Sequence, residues 1–235
     1  MATVIFYNFI LLSSTFFVWL SEKGKGNLER YFFLGLAFLL VFVPAAMRYD
    51  VGTDYVNYLA IYQDSWRLES YKKEPGFYFI NWFYQGINAH FQWMFATFAF
   101  LFTAVGFKAY PRKQAWVLHL ALITLLYFQS FNIVRQAVAM VFCLWALKEL
   151  IDKQNIKFVA ICLLASLFHQ SVVIFLLVGL ASLIPVSYRL KIYIAPAFFI
   201  AFLALSFLIL PNILQLIEWA LLKAGMTEFA SYFGN

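Results

Sequence analysis

Charge is scarce in this sequence. Asp, Glu, Lys and Arg make up 12% of 235 residues, against about 25% in a soluble domain, which leaves too little polar surface for an ordinary water-facing fold. Cysteine is nearly absent. Cys143 and Cys162 both lie inside apolar runs, which excludes a disulfide framework and leaves no metal-ligand spacing. No Lys or Arg precedes the first apolar run, and no small-residue cleavage site follows it. A removable signal peptide is therefore not expected, and Val4–Leu20 should remain as a membrane helix. Internal repeats, linkers, low-complexity tracts and soluble stretches of any size are also missing, so residues 1–235 read as a single membrane domain.

What is present is apolar mass: 64% hydrophobic residues, 21% aromatic and a mean hydropathy of +0.80. Val4–Leu20, Tyr31–Met47 and Ile192–Leu210 are each long enough, or nearly so, for a hydrocarbon core of roughly 30 Å. Backbone polar groups in lipid must be satisfied within helices or closed barrels. Barrel strands alternate apolar and polar residues, and Leu34–Val43 does not. The expected fold is all-α, a polytopic integral membrane helical bundle.

The formal charge of +6 does not indicate nucleic acid, because the basic residues sit in short clusters between apolar runs. Lys23, Lys25 and Arg30; Lys108, Arg112 and Lys113; Lys148, Lys153 and Lys157; and Arg189 with Lys191 hold eleven of the 17. Cytoplasmic placement of these clusters puts the polar loop 48–75 outside, with the turns at 129–136 and 169–171. Gly76 to about Ile87 then reads as a helix lying in the interface or dipping partway, broken by Gly86, Asn88 and His90, before Trp93–Phe107 crosses. Trp116–Gln129 and Asn132–Leu147 follow. Phe158–Tyr188 reads as a hairpin with His169 at its outer apex; its first arm, Ile156–Phe168, spans only about 20 Å at 1.5 Å per residue. The expectation is about eight transmembrane helices with an interfacial helix outside.

Three polar groups gather on that outer side. In the first, Arg48 is followed by Asp50, Gly52, Thr53 and Asp54. Gly52 permits a turn, and Thr53 is the expected N-cap of a helix whose Tyr55, Tyr58, Leu59, Tyr62 and Trp66 form one aromatic face on the membrane surface. The competing reading is an interfacial loop with a local Arg–Asp pair. In the second group, the spacing of Gln129, Asn132 and Gln136 puts three amides on one helical face, with Arg135 beside it. Snorkelling of Arg135 to the interface competes with a role in the bundle, where polar residues are functional candidates. The third group is His169-Gln170-Ser171. A lone His in an apolar run is more often structural, but this one shares a face with the other two groups, and imidazole as a side-chain type suits acid–base work. His90 and His119 lack such company and read as structural.

Arg48-Tyr49-Asp50-Val51-Gly52-Thr53-Asp54-Tyr55, Glu74-Pro75-Gly76-Phe77, Arg135-Gln136-Ala137-Val138-Ala139 and His169-Gln170-Ser171 occur in that order. In these motifs the chain resembles the EpsG family of bacterial polytopic proteins, related to Wzy O-antigen polymerases, over residues of about 40 to 185. The resemblance implies polymerisation of repeat units carried on undecaprenyl diphosphate at the outer face of the bacterial cytoplasmic membrane. Lipid-linked oligosaccharide is then the substrate, membrane lipid the surroundings, and a flippase and a chain-length regulator the expected partners, with no nucleic acid. Family members usually continue through further membrane helices, so a shortened or incomplete member is expected.

The implied chemistry is glycosyl transfer without a nucleotide sugar. Arg48 and Arg135 would stabilise the departing diphosphate, and either Asp54 or His169 would take the proton of the attacking hydroxyl. Asn132, Gln136 and Gln170 would orient phosphate or sugar, with Asp50 nearby and Tyr55 and Tyr58 against sugar rings. No metal or other cofactor is expected. Two other readings stand beside this one. A lipid-linked oligosaccharide flippase or other transporter would show internal repeats; none is present. A membrane acyltransferase using acyl-CoA needs its His open to the cytoplasm, and the charges place His169 outside.

Overall fold

The computed structural model describes residues 2–177 together with 179, 219 and 223. The chain divides into two compact units, 1–182 and 183–235, and every element below belongs to the first. In the second, the Lys223 ammonium lies 4.7 Å from the centre of the Trp219 ring.

Among the described residues every regular element is a helix. α1 (Ala2–Lys23) and α2 (Asn27–Ala46) form a hairpin, and both are long and apolar enough to cross a membrane. Each buries one narrow stripe: Ile10, Ser14, Val18 and Ser21 on α1, and Ala37, Val41 and Ala45 on α2. These three- and four-residue spacings define one face of a helix. The opposite faces leave Ile5, Leu12, Phe32 and Leu39 exposed, an apolar exterior suited to lipid and not to water.

α6 (Gln92–Lys108) is the central helix, packed against α2 and α8. Gly106 lets α7 and α8 approach it, since a Cβ there would meet Leu122 at 3.1 Å and Val141 at 3.7 Å. α7 (Ala115–Leu122) loosens into a π turn, Ile123–Tyr127, and then a 3₁₀ turn, Gln129–Phe131. The Tyr127 hydroxyl donates to the carbonyl of Val41, 2.8 Å away, and anchors this unwound stretch to α2. α8 (Val134–Ile151) and α9 (Asn155–Ser166) complete the bundle.

Contacts at the helix ends fix the direction of each run. At one end Glu22 accepts from the backbone N–H groups of Gln114 and Trp116, each at 3.1 Å, and Lys148 donates to the Lys108 carbonyl at 3.3 Å. At the other end Gln92 donates to the Arg48 carbonyl at 3.1 Å, and the segments near 52, 76, 132 and 167 meet. The expected alternation of basic and polar ends therefore holds along α1, α2 and α6–α9. These six correspond to the first six expected crossings. The seventh falls largely, and the eighth wholly, outside the described residues, so eight transmembrane helices are not shown.

A smaller layer covers the polar end: α3 (Tyr55–Gln63), α4 (Ser65–Glu69) and α5 (Pro75–Gly86). Both ends of α5 stay at this end of the bundle. Its start touches Leu167, and near its close the Tyr84 hydroxyl meets Thr97 of α6 at 2.7 Å. A helix was expected over 76–87, and α5 occupies that stretch.

The surface-lying aromatic helix is corrected. α3 ends at Gln63, and Asp64 caps α4 by accepting from the Trp66 N–H at 2.9 Å. Trp66 thus leaves the tyrosine face and is 82% exposed, while Tyr55, Tyr58 and Tyr62 are buried. Tyr55 stacks on Phe95 and Tyr58 packs against Phe77. Rings on the adjacent α5 and α6 take the face that was expected to meet lipid. Thr53 does not cap α3 either; Asp54 stands at that position, without a side-chain cap.

Candidate functional site

The four sequence motifs meet in pairs at the polar end. Gly52, at φ +100°, brings the first loop against the turn before α8. A Cβ at Gly52 would lie 2.7 Å from the Phe131 carbonyl oxygen and 2.8 Å from Asn132 Oδ1. The next N–H, that of Thr53, donates to Asn132 Oδ1 at 2.7 Å, and the Thr53 hydroxyl lies 3.2 Å from the same oxygen. The second pair is joined at Gly76, whose N–H donates to the Leu167 carbonyl at 2.8 Å. Gln170 Nε2 donates to the Lys73 carbonyl at 2.9 Å.

At the centre of the second pair is Glu74, the residue that precedes α5. Only 7% exposed, it is a carboxylate that needs partners, and two motifs supply them. One oxygen makes a salt bridge to Arg135 Nη1, and the other lies 2.8 Å from His169 Nδ1. The carboxylate accepts, so Nδ1 carries the hydrogen; in the neutral ring this leaves the lone pair on Nε2. The imidazole is 27% exposed, and among the described residues Nε2 has no hydrogen-bond partner. The Arg135 guanidinium lies over Tyr71 at 4.5 Å and Phe77 at 5.3 Å from the ring centres. Its positive charge also acts on the nearby Tyr58 hydroxyl. Burial pushes the Tyr58 hydroxyl above the usual phenol range, against the pull of Arg135, so it stays protonated at neutral pH.

Arg135 also lines a cleft of about 770 Å³, whose walls include Asp54, Asn57, Tyr58, Trp66, Arg67 and Glu69. Asp54 accepts from Asn57 Nδ2 there at 3.3 Å. The cleft combines carboxylates, amide, guanidinium and exposed indole, a mixture able to bond hydroxyls and cover a ring face.

The structure thus brings together Arg135 and His169 through Glu74, and Arg135, Asp54 and Tyr58 through the cleft. Arg48 is at the same end but in different surroundings. It is 7% exposed, with its guanidinium 4.4 Å from the centre of the Phe95 ring and 5.2 Å from that of Phe131. The local Arg–Asp pair of the competing reading does not form: Asp50 is exposed, at φ 51°. Burial lowers the Arg48 pKa to about 10, which still leaves it charged at neutral pH. Tyr58 lies within electrostatic reach of both arginines.

Four expected roles change. The amide stripe does not exist as a helical face, because α8 begins only at Val134. Gln129 sits in a 3₁₀ turn, Asn132 holds the Thr53 loop, and Gln136 faces outward. Gln170 ties its own loop to Lys73. Tyr55 is occupied by Phe95 and offers no face to a sugar. Glu74, the hub, belonged to a quoted motif but was not expected as a site residue. The available signal was a carboxylate placed directly before Pro75 at the edge of a long uncharged stretch. His119, read as structural for want of polar company, does have partners: buried, it bonds the Tyr110 hydroxyl through Nδ1 and, through Nε2 at 2.8 Å, the Ser14 hydroxyl. Among the described residues no group of His, Cys, Asp and Glu is arranged to hold a metal ion.

The model of the EpsG family matches residues 31–234. No curated protein and no solved structure matches the chain. The match covers most of the length and includes all four motifs.

Proposed function

The chain belongs to the EpsG family, and we propose that it polymerises polyprenyl-diphosphate-linked oligosaccharide repeat units at the outer face of the bacterial cytoplasmic membrane. Family membership supports a polysaccharide-polymerase type of role, and the two long apolar helices support a membrane location. The observation that carries the site is the buried Glu74 bonded at once to Arg135 and His169, which joins three sequence motifs in one charged cluster.

In the proposed reaction the donor is a glycan on a polyprenyl diphosphate, and the acceptor is a sugar hydroxyl on a second lipid-linked unit. The hydroxyl oxygen forms a bond to the anomeric carbon of the donor. The bond between that carbon and the phosphate oxygen breaks, and its electron pair leaves with the diphosphate. The hydroxyl proton passes to His169 Nε2. Glu74 holds the imidazole in the required tautomer and stabilises the imidazolium, a carboxylate–histidine arrangement used by other general bases. Arg135, fixed by Glu74, Tyr71 and Phe77, faces the charge that develops on the diphosphate. The cleft takes the sugars, with Trp66 as a stacking face and Asp54 and Asn57 as hydrogen-bond partners.

A second reading of the base favours Asp54, because Asp54 and not His169 is among the residues that line the cleft. Purified protein supplied with lipid-linked repeat units separates the two. His169→Ala should lower turnover by about 100-fold or more, the scale of general-base catalysis, and Asp54→Asn by less. The reverse order assigns the base to Asp54. Full turnover in both removes the proton-transfer role from each.

A further inference from the structure

Arg48 has no place in the chemistry above, yet it is a charge buried to more than nine-tenths. Its Nε is buried without a hydrogen-bond partner, and among the described residues no carboxylate or carbonyl accepts from its guanidinium. Two rings hold it in place. A buried cation kept without an acceptor is costly, and the arrangement makes sense if an anion completes it.

Arg48 borders a small inner hollow with Phe95 and Phe131 and, on its other side, an apolar groove. A hollow of about 500 Å³ between the start of α1 and the end of α2 is lined by Phe6, Tyr7, Pro44, Met47 and Arg48. It adjoins a second hollow of about 340 Å³, with Phe9, Phe17, Leu36, Leu39 and Val43 in its walls. Phe6, Ile10 and Pro44 border both, so the two lie side by side along the helix pair. From Leu36 to Ala46, where α2 ends, this side covers ten residues, about 15 Å at 1.5 Å per residue. Exposed Phe6, Phe9 and Leu39 show that it opens sideways on the lipid-facing surface. The occupant must therefore have one long hydrocarbon chain and an anionic head. A guanidinium fork matches a phosphate, and a single groove suits one chain better than the two of a bilayer phospholipid.

We propose that the α1–α2 groove seats the isoprenoid chain of a polyprenyl phosphate or diphosphate, with its phosphate on Arg48. The proposal rests on the polymerase reading and deepens it. Such an enzyme needs two lipid-linked substrates, and this groove holds one of them. Tyr58, which lines the sugar cleft with Arg135, lies within electrostatic reach of Arg48.

The test uses the purified full chain in detergent and native mass spectrometry, with undecaprenyl phosphate as the probe and phosphatidylglycerol as the comparison lipid. Wild type should retain the polyprenyl phosphate at least tenfold more tightly than phosphatidylglycerol. Arg48→Gln should abolish that preference. Leu39→Trp fills the groove from an exposed position and leaves the buried core alone, so it guards against misfolding of the arginine variant; it should weaken retention at least tenfold. Equal retention of the two lipids by wild type, or undiminished retention in Leu39→Trp, overturns the proposal. Polymer formation is read separately on the same preparations. Selective retention by a wild-type protein that makes no polymer would support the groove and refute the polymerase reading.

Discussion

Replacing Glu74 by Gln tests the centre of the cluster with the smallest change of shape. In the native side chain one oxygen serves Arg135 and the other serves His169. An amide has a single acceptor oxygen, so one partner is left facing an NH₂ group. If His169 loses its acceptor, the ring is free to turn or to change tautomer. If Arg135 loses it, a guanidinium side chain 24% exposed is left beside two rings with no counter-charge. Removing one partner of a fully buried pair costs about 3–5 kcal/mol. The partial exposure of Arg135 brings in solvent screening, and about 1–3 kcal/mol is the expected loss, the range for one unsatisfied polar group. The effect on chemistry should be larger. A mis-oriented general base forfeits about 10²–10⁴ in rate. The assay is the length distribution of glycan made from purified lipid-linked repeat units, at matched protein levels, with thermal unfolding in detergent alongside. Glu74→Gln should unfold a few degrees lower and produce little or no long polymer. Native chain lengths at full protein level would refute the idea that Glu74 organises the site.

Three other expectations follow from the geometry. Arg135→Lys keeps the charge but loses the planar fork, and initial rates should fall at least tenfold while the protein still folds; unchanged rates would remove any specific role of the guanidinium. Gly52→Ala puts a methyl 2.7 Å from the Phe131 carbonyl oxygen at φ +100°, and the strain should lower stability by about 1–3 kcal/mol, read from a melting curve in detergent. His119→Ala strands the Ser14 and Tyr110 hydroxyls and should cost about 2–4 kcal/mol through lost bonds and packing. The folded fraction of that variant should polymerise normally, and a defect in its specific activity would contradict a purely structural role.

The helices of the bundle could be read from the sequence because a simple rule applies: long uncharged runs become helices, and basic clusters mark one set of ends. α1, α2, α6, α8 and α9 follow it closely. The unwinding after α7 was hidden, since residues 115–131 contain neither Pro nor Gly. The contact near it, from Tyr127 to the Val41 carbonyl, is tertiary. The tyrosines of α3 were legible as a face, but three-and-four spacing does not say what that face meets. Phe77 and Phe95, distant in sequence, decide it. Glu74 stood in a quoted motif without a role of its own. Its partners lie 61 and 95 positions away, and only the fold brings them to it. Sharing of one polar end by Arg48, Arg135 and His169 could be read from the charges. Their division between two surroundings could not, because it depends on which rings flank each arginine.

The backbone bond from Gly76 to Leu167 has a mechanical meaning. It fastens the start of α5 to the residues just past α9, two positions from Glu74 on one side and two from His169 on the other. The separation of carboxylate and imidazole is therefore set twice, once by their own hydrogen bond and once by the main chain two positions away from each. A change in either side chain leaves the second constraint in place.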